Sequence, residues 1–510
     1  MYRPLQKIES NVRNKFENEI YSKFKIGTYK EKKQIKEILQ SGFSFYENIL
    51  EHYLKKSASI DMLAFILSEY DKYVDLSIEF KKGTLSKSNL SFWNEYGTKS
   101  KRGLKFLAEK IVLHLPNDNK ENKNINIHES LSYCWIAAEE MISLYASSHV
   151  GYSLFPDDCY IIIKEKGGYD FIEFQCDKFT KAYNNLNMHD FLKNQELSNT
   201  LPFEPNIQNK YLGDAFKKNL NIDYLNSVAI LQYLIECFQT DDSASIKSFH
   251  FKKNPMINAL ASDYGIDHTV VSNIINGFLL SKENLVNRIL YKPKQEYRAF
   301  RRAFFEVETE DGLIILFSKK MALEEFSQMI RSVCFKKLPS EWLSLDKEIN
   351  KSLAKFSNYT GTWFEEFLIS CLKEKGIKCI RSLSKLKIDG KNEYIPESVG
   401  DIDIVALVGN KLHIIECKMV QFASEPTGYI DDMDKFITNK NSYKSKFIKK
   451  INWANNNIVK IKQHLKTQGI NFSDDIEIKP YMVTYYPTIA AEFIEEFSCL
   501  DITKYIKTSL

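Results

Sequence analysis

The chain lacks the cysteine patterns that hold metals or disulfide frameworks. Its nine cysteines are scattered over 510 residues, and none of them forms a C-x-x-C pair. No Cys/His cluster has the spacing of zinc ligands, so structural zinc is not expected. Free thiols are typical of the reducing cytoplasm, where disulfides rarely persist.

Long apolar segments are also missing. The first ten residues contain no apolar stretch of the kind found in secretory signals, and no run of about 18 apolar residues occurs anywhere in the chain. The sequence therefore predicts a cytoplasmic protein without a membrane partner.

The net charge is small for a chain of this length. A formal charge of +4 at pH 7 does not by itself indicate a nucleic-acid partner. The hydrophobic share of 44% and the charged share of 27% are ordinary for soluble proteins. Because 510 residues exceed what one core usually holds, two or three domains are expected.

The first two thirds of the chain divide into two predicted segments. Residues 1–115 show apolar residues at helical spacing and predict a helical domain, followed by a polar linker at 116–126. Residues 127–345 predict an α+β recognition or regulatory region. It contains two hairpins, with turns at Gly167-Gly168 and Asp311-Gly312.

Residues 258–280 form a candidate helix-turn-helix. The spacing of small and apolar residues around Gly265 is typical of that motif, with the glycine in the turn. The second helix carries Ser272 and Asn273 but no lysine or arginine, which is thin for DNA readout. An ordinary helical hairpin is the alternative.

Residues 350–510 predict an α/β domain with the order α-β-β-β-α-β, a normal domain in size. The predicted elements are a helix near 360–375, a strand at 377–381, a turn-rich insert at 384–398, a hairpin around 409–410, helices within 428–468 and a strand at 479–485.

The hairpin brings ionisable residues together if Gly409 and Asn410 make a two-residue turn. Counting outward then places Asp403 opposite Glu416 and Asp401 opposite Lys418. Strand alternation puts Asp403, Glu416 and Lys418 on one face.

Two carboxylates directly opposed in a sheet repel each other. A divalent cation removes that repulsion, because carboxylates are the hard ligands that Mg²⁺ and Mn²⁺ prefer. The alternative is a set of charges solvated at the rim of a sheet and neutralised by Lys418.

Asp403 followed by Glu416-Cys417-Lys418 resembles the D…(D/E)xK signature of the PD-(D/E)xK, or restriction-endonuclease-like, nuclease superfamily. Gly400-Asp-Ile-Asp and Ile414-Ile-Glu-Cys-Lys particularly resemble its Mrr-like and Holliday-junction-resolvase-like branches, although Ile402 stands where the signature has proline. The order α-β-β-β-α-β also matches the core of that superfamily. The resemblance covers residues 355–490 only.

The superfamily also has a glutamate on the first core helix, in a stretch that Gly361-Thr-Trp-Phe-Glu365 matches. At about 100° per residue, Glu365 lies at the edge of the apolar face, whereas Glu366 points nearly opposite. The alternative for Glu365 is an ordinary flank of an amphipathic helix.

The resemblance implies a catalytic set of Asp403, Glu416, Lys418 and Glu365. Mg²⁺, or Mn²⁺, would be held by Asp403, Glu416 and the backbone carbonyl of Cys417. Lys418 would orient the attacking water or stabilise developing charge, and Glu365 would act through a water. Asp401 and Gln421 are supporting candidates. The alternatives are that Asp401 is peripheral to the site and that Gln421 is an ordinary surface residue at the end of a strand.

A lysine-rich segment follows the hairpin. Residues 435–466 contain nine lysines and no Asp or Glu, which suits binding of a phosphate backbone without sequence preference. A solvated lysine face is the alternative. The candidates for contact with nucleic acid are Lys444, Lys446, Lys449, Lys450 and Lys460.

These features together predict a metal-dependent endonuclease that hydrolyses DNA, with a role in restriction or anti-phage defence by analogy with the superfamily. The resemblance also implies a homodimer, and a partner protein or trigger would act through the N-terminal region. One alternative is a structure-selective junction resolvase or DNA-repair nuclease. Another is a non-catalytic DNA-binding or assembly protein with a nuclease-like fold.

Overall fold

The computed structural model describes residues 1–115, 126–165, 171–186, 201–238, 246–285, 295–423, 426–470 and 476–510. Nearly all of the predicted linker and the Gly167-Gly168 turn lie outside these residues. Within the described ranges, no helix is long and apolar enough to cross a membrane.

The described secondary structure is mixed, with helices in the majority. The α-helices are α1 Gln6–Lys23, α2 Lys32–Ser57, α3 Ile60–Lys82, α4 Lys87–Phe92, α5 Thr98–His114, α6 Ile127–Ser147, α7 Asp177–Asn185, α8 Pro205–Leu220, α9 Tyr224–Glu236, α10 Lys253–Tyr264, α11 His268–Asn276, α12 Lys282–Leu285, α13 Lys319–Ser332, α14 Ser340–Leu343, α15 Lys347–Glu374, α16 Pro426–Met433, α17 Tyr443–Asn456, α18 Ile458–Thr467 and α19 Ile502–Thr508. The strands are β1 Gly27–Tyr29, β2 Cys159–Ile163, β3 Ile172–Cys176, β4 Phe249–Lys252, β5 Leu279–Leu280, β6 Phe304–Thr309, β7 Gly312–Phe317, β8 Lys378–Leu383, β9 Lys385–Ile388, β10 Lys391–Tyr394, β11 Ile402–Val408, β12 Lys411–Lys418, β13 Glu477–Thr484 and β14 Ser498–Asp501.

The chain forms two compact units. The N-terminal unit comprises Met1–Cys176 and Glu204–Leu353, and the C-terminal unit comprises Asp177–Phe203 and Ala354–Leu510. The change of unit after Leu353 lies close to the boundary predicted at 350.

The prediction of a separate helical domain at 1–115 is wrong, because that segment belongs to the same unit as most of 127–345. Helices α2 and α5 pack against α6, and a buried ion pair adds a polar link between the two segments. The Glu109 carboxylate on α5 accepts two hydrogen bonds from Arg298 Nε, at 2.7 and 2.9 Å, and one from the backbone N–H of Ala299 at 2.6 Å. A buried charge is unfavourable without its partner, so separating these two residues would be costly.

The N-terminal unit contains two sheets, with strand orders β1-β2-β3 and β4-β7-β6-β5. Both predicted hairpins are confirmed. The first pairs β2 with β3, from Cys159 opposite Cys176 onward. The second pairs β6 with β7, and Thr309 opposite Gly312 closes its turn.

The candidate helix-turn-helix consists of α10 and α11, separated by Gly265 with a left-handed φ of 62°. The second helix begins at an acidic cap, because the Asp267 carboxylate accepts the N–H of Thr269. The carbonyl of Asn273 accepts a hydrogen bond from Trp342 Nε1 at 3.2 Å, which anchors α11 within the unit. DNA binding by this motif stays a prediction.

The C-terminal unit is built on a five-stranded sheet with the order β14-β13-β12-β11-β8. Strands β8, β11 and β12 are antiparallel, and β12, β13 and β14 are parallel. The predicted insert contains a separate hairpin, β9-β10. The first helix begins at Lys347, earlier than the predicted 360, because Ile349, Leu353 and Phe356 continue its buried face.

Helices cover both faces of this sheet. On one face, α17 packs against β12 and β13. On the other face, His413 of β12 lies 2.9 Å from the Tyr505 hydroxyl of α19, between Nδ1 and Oη. Strand β12 is buried along nearly its whole length, so both of its faces are in contact with other elements.

His413 predicts a pH dependence of folding. Burial, with a contribution from the charge of Lys411, lowers the pKa of this imidazole to about 4. Since its unfolded pKa is about 6.5, His413 contributes stability that is complete above pH 6.5 and is lost as the pH falls towards 4. We expect the urea midpoint of the wild type to fall over that range more steeply than that of His413→Gln. Parallel curves for the two proteins would contradict this.

Candidate functional site

The central hairpin has the predicted register. Its pairs run outward from Val408 opposite Lys411 to Ile404 opposite Ile415. Gly409 has a φ of 61°, as the tight turn requires. Beyond the last of these pairs, the Asp403 carboxylate accepts a hydrogen bond from the backbone N–H of Cys417 at 2.8 Å. A side-chain oxygen thus replaces the backbone carbonyl that would accept this N–H in a continuous sheet.

Glu416 lies at the centre of a group that we call the carboxylate–lysine cluster, formed by Asp403, Glu416, Lys418 and Lys450. Lys418 Nζ is 2.7 Å from Glu416 Oε1, and Lys450 Nζ is 2.6 Å from Glu416 Oε2. Lys450 Nζ is also 3.7 Å from Asp403 Oδ1. Two carboxylates and two ammonium groups make the cluster formally neutral.

Three elements position the cluster. Strands β11 and β12 carry the carboxylates and Lys418 at adjacent strand ends. Helix α17, capped by Ser442, carries Lys450 on the same buried stripe as Phe447 and Ala454. Tyr443, in the first turn of that helix, places its ring centroid 5.3 Å from Lys418 Nζ.

The charges of the cluster shift the pKa values of its members. Burial, followed by the charge of Glu416, raises the pKa of Asp403 to about 6, although both lysines oppose that change. Burial alone would lower the pKa of Lys418, but the carboxylates of Glu416 and Asp403 raise it overall. The pairing with Glu416 therefore favours the ammonium form of Lys418, which suits it to binding an anion.

The donor set fits a hard divalent cation. Asp403 and Glu416 supply carboxylate oxygens, and the carbonyl of Cys417 is a third candidate. The Lys418 carbonyl accepts from Tyr485 N–H towards β13, so strand alternation directs the preceding Cys417 carbonyl towards β11 and Asp403. In the described part of the chain, no group of three or more His, Cys, Asp or Glu side chains could hold a metal ion. Water would have to complete the shell, as Mg²⁺ usually requires.

Glu365, on α15, has a partner outside the cluster. Its carboxylate accepts a hydrogen bond from Arg381 Nε at 3.2 Å, and Glu366 pairs with the same guanidinium. Glu366 is exposed and Glu365 is half-buried, as the helix geometry predicted. Burial and the charges of Asp403, Glu365 and Glu416 raise the pKa of the Cys417 thiol, so Glu365 is within electrostatic reach of the strand ends. Sequence reasoning did not single out Arg381.

The two supporting candidates lie at the margin. Asp401 precedes β11 and is exposed. The strand count left open whether Asp401 pairs with Lys418, and in the structure Lys418 binds Glu416 on its own strand. Gln421 is half-buried in the segment after β12. The Cys417 side chain is buried, in agreement with its interpretation as a small apolar residue.

The five candidate lysines fall into three groups: two are exposed, two form surface ion pairs, and Lys450 is buried. Lys446 and Lys449 are exposed on α17. Lys444 pairs with Glu496, and Lys460 pairs with Glu393, at the surface. Such exposed pairs are weak, so both lysines can still exchange a carboxylate for a phosphate.

The assignment of Lys450 to the nucleic-acid-binding surface needs correction. Its side chain is only 10% exposed and is engaged with Glu416. The sequence did contain a signal, because Lys450 follows Phe447 by three positions and precedes Ala454 by four, on the apolar face of a helix.

No protein-family model, no curated protein and no solved structure matches this chain. A functional assignment therefore depends on the chemistry and geometry of the cluster itself.

Proposed function

We propose that the C-terminal unit is a divalent-cation-dependent endonuclease with a PD-(D/E)xK core, acting on DNA. The observation that carries the proposal is the convergence of Asp403 and Glu416 from neighbouring strand ends, with Lys418 bound to Glu416. The combination of α15, the antiparallel strands β8, β11 and β12, and the parallel strand β13 supports the same core.

The cluster has a role for each residue in phosphodiester hydrolysis. Asp403, Glu416 and the Cys417 carbonyl would hold Mg²⁺ or Mn²⁺. When bound, such an ion lowers the pKa of a water molecule and neutralises charge on the phosphate. Lys418 stays protonated and would bind the phosphate or orient the attacking water. Glu365, on the neighbouring helix α15, would act through a water molecule. Its carboxylate would then have to give up the hydrogen bond from Arg381, or accept it together with one from the water.

The test uses the full chain with supercoiled plasmid in Mg²⁺, Mn²⁺ or EDTA. We expect nicked or linear DNA with either metal and intact plasmid with EDTA. Linear product formed without a nicked intermediate would support a homodimer that cuts both strands. Preferred cutting of a four-way junction would support a resolvase instead. DNA binding without any cutting would support the non-catalytic alternative.

The exposed lysines of α17 predict how DNA binding depends on salt. Replacing Lys446 and Lys449 by alanine should weaken binding to all sequences alike. It should also reduce the slope of log K against log salt by about one for each of these lysines that binds a phosphate. Fluorescence anisotropy with a labelled duplex measures this. Replacing Lys7 and Lys33, both exposed in the N-terminal unit, removes the same charge elsewhere. Equal weakening in the two double variants would count against a DNA surface on α17.

The biological role is part of the proposal. A DNA nuclease needs control within its own cell, and the N-terminal unit is the larger part of the chain. We infer that this unit receives a partner protein or trigger, in restriction or anti-phage defence. A protein that binds the N-terminal unit should therefore change the rate at which the full chain cuts plasmid.

A further inference from the structure

Lys450 has no place in the sequence signature, yet it contacts both candidate cation ligands. Its Nζ lies 2.6 Å from Glu416 Oε2 and 3.7 Å from Asp403 Oδ1. The aliphatic part passes close to Gly400, where an added Cβ would be 3.8 Å from Lys450 Cε. A buried ammonium is stable only when it is paired, so Lys450 depends on these carboxylates as they depend on it.

The ammonium of Lys450 competes with a cation for the same oxygens. Oxygen ligands of Mg²⁺ lie about 2.0–2.1 Å from the ion, so an ion bound to Glu416 Oε2 and Asp403 Oδ1 would coincide with or crowd Lys450 Nζ. The other oxygen of Glu416 is already held by Lys418 at 2.7 Å. An ion that shares Glu416 Oε2 and Asp403 Oδ1 therefore requires Lys450 to move away from them.

Charge balance indicates what releases Lys450. The cluster is neutral with its two lysines, so a doubly charged ion alone would add uncompensated charge to a buried site. A nucleic-acid phosphate supplies both a negative charge and an acceptor for a displaced ammonium. Lys418 is more exposed than Lys450, with 22% against 10%, but it extends from the same strand as Glu416. Lys450 extends from a separate helix, and its Nζ lies within 4 Å of both carboxylates, so it is the ammonium that an ion shared by them displaces.

We propose that Lys450 is a positioning residue that holds Asp403 and Glu416 together in the absence of a cation and releases them to the cation when phosphate arrives. The inference rests on the proposed function for the identity of the phosphate. Its consequence is that divalent cation and DNA bind cooperatively, and that the chain without DNA binds the cation weakly.

The test measures Mn²⁺ binding by the electron paramagnetic resonance signal of the free ion, which does not depend on activity. Without DNA, Lys450→Met should bind Mn²⁺ about tenfold or more tightly than the wild type, within the usual range of coupling between sites. A short DNA duplex, kept at low temperature and checked on a gel for integrity, should tighten binding by the wild type and have little effect on Lys450→Met.

Three variants serve as controls. Lys440→Met removes the same charge at an exposed position just before α17 and should bind Mn²⁺ as the wild type does. Lys450→Arg keeps the positive charge and should bind the ion weakly. Adding Asp403→Asn to Lys450→Met should abolish the gain, which locates the ion.

Thermal unfolding keeps the proposal falsifiable if Lys450→Met is unstable. Loss of one positive charge beside two buried carboxylates should lower its Tm, and Mn²⁺ should restore the Tm by binding only the folded state. A variant that stays unfolded in Mn²⁺, or binds no more tightly than the wild type, overturns the proposal. An equal gain for Lys440→Met also overturns it, because the effect would then be one of general charge.

The two proposals fail separately. Tight Mn²⁺ binding by Lys450→Met in a protein that never cuts DNA supports the role of Lys450 and overturns the nuclease assignment. If the wild type cuts DNA and Lys450→Met binds Mn²⁺ no more tightly than the wild type, the nuclease assignment is supported and the role of Lys450 is overturned.

Discussion

The Asp403→Asn variant should cut plasmid DNA at least about 100-fold more slowly than the wild type, because loss of a group that holds the metal usually costs this much or more. The amide removes one negative charge and one of the two ligand oxygens. It keeps an oxygen that can accept the Cys417 N–H, so the strand end should stay in place. The measurement is the rate of loss of supercoiled plasmid in Mg²⁺.

Asp401→Asn is the matched control for this prediction. Asp401 lies two positions away, is exposed and precedes the strand, so the same loss of charge there should leave the rate near that of the wild type. If the two variants cut equally well, the geometric ranking of the two aspartates is wrong. Lys418→Met should also be slow, since an ammonium next to Glu416 is part of the proposed chemistry. Thermal unfolding of each variant separates lost chemistry from lost folding.

Arg298→Met should destabilise the N-terminal unit by about 3–5 kcal/mol, the usual cost of leaving a buried charge without its partner. Arg298 and Glu109 are both nearly inaccessible, with side chains 3% and 6% exposed. Burial raises the pKa of Glu109 even though Arg298 opposes this, so the variant has to protonate or expose that carboxylate. Urea unfolding, followed by tryptophan fluorescence and circular dichroism, measures the loss.

Two further variants test whether the loss comes from the buried ion pair. The double variant Glu109→Leu with Arg298→Met should recover much of the loss, because an apolar pair of similar volume can replace a buried ion pair. Lys351→Ala breaks an exposed pair with Glu348 on α15 and should leave the urea midpoint nearly unchanged, because solvent screens such pairs. If Arg298→Met costs no more than Lys351→Ala, the ion pair does not hold residues 1–115 to the rest of the unit.

Much of the C-terminal unit could be predicted because its signals are local. Asn410 follows Gly409 in a two-residue turn, and the period of two along each strand then decides which residues face each other. The register from Val408 to Ile404 followed from that count and is confirmed. The exposure of Glu366 and the half-burial of Glu365 followed in the same way from the period of the helix.

Local patterns in the sequence were therefore enough to predict the hairpin, its register and the two carboxylates at its open end. They could not predict that Lys450, 34 positions from Glu416, completes the cluster, or that Glu109 meets Arg298 across 189 positions. Both are contacts between elements whose spacing in the chain carries no information about their distance, so they emerge only when the chain folds. They form because burying a charge is costly, and the fold lowers that cost by bringing opposite charges together.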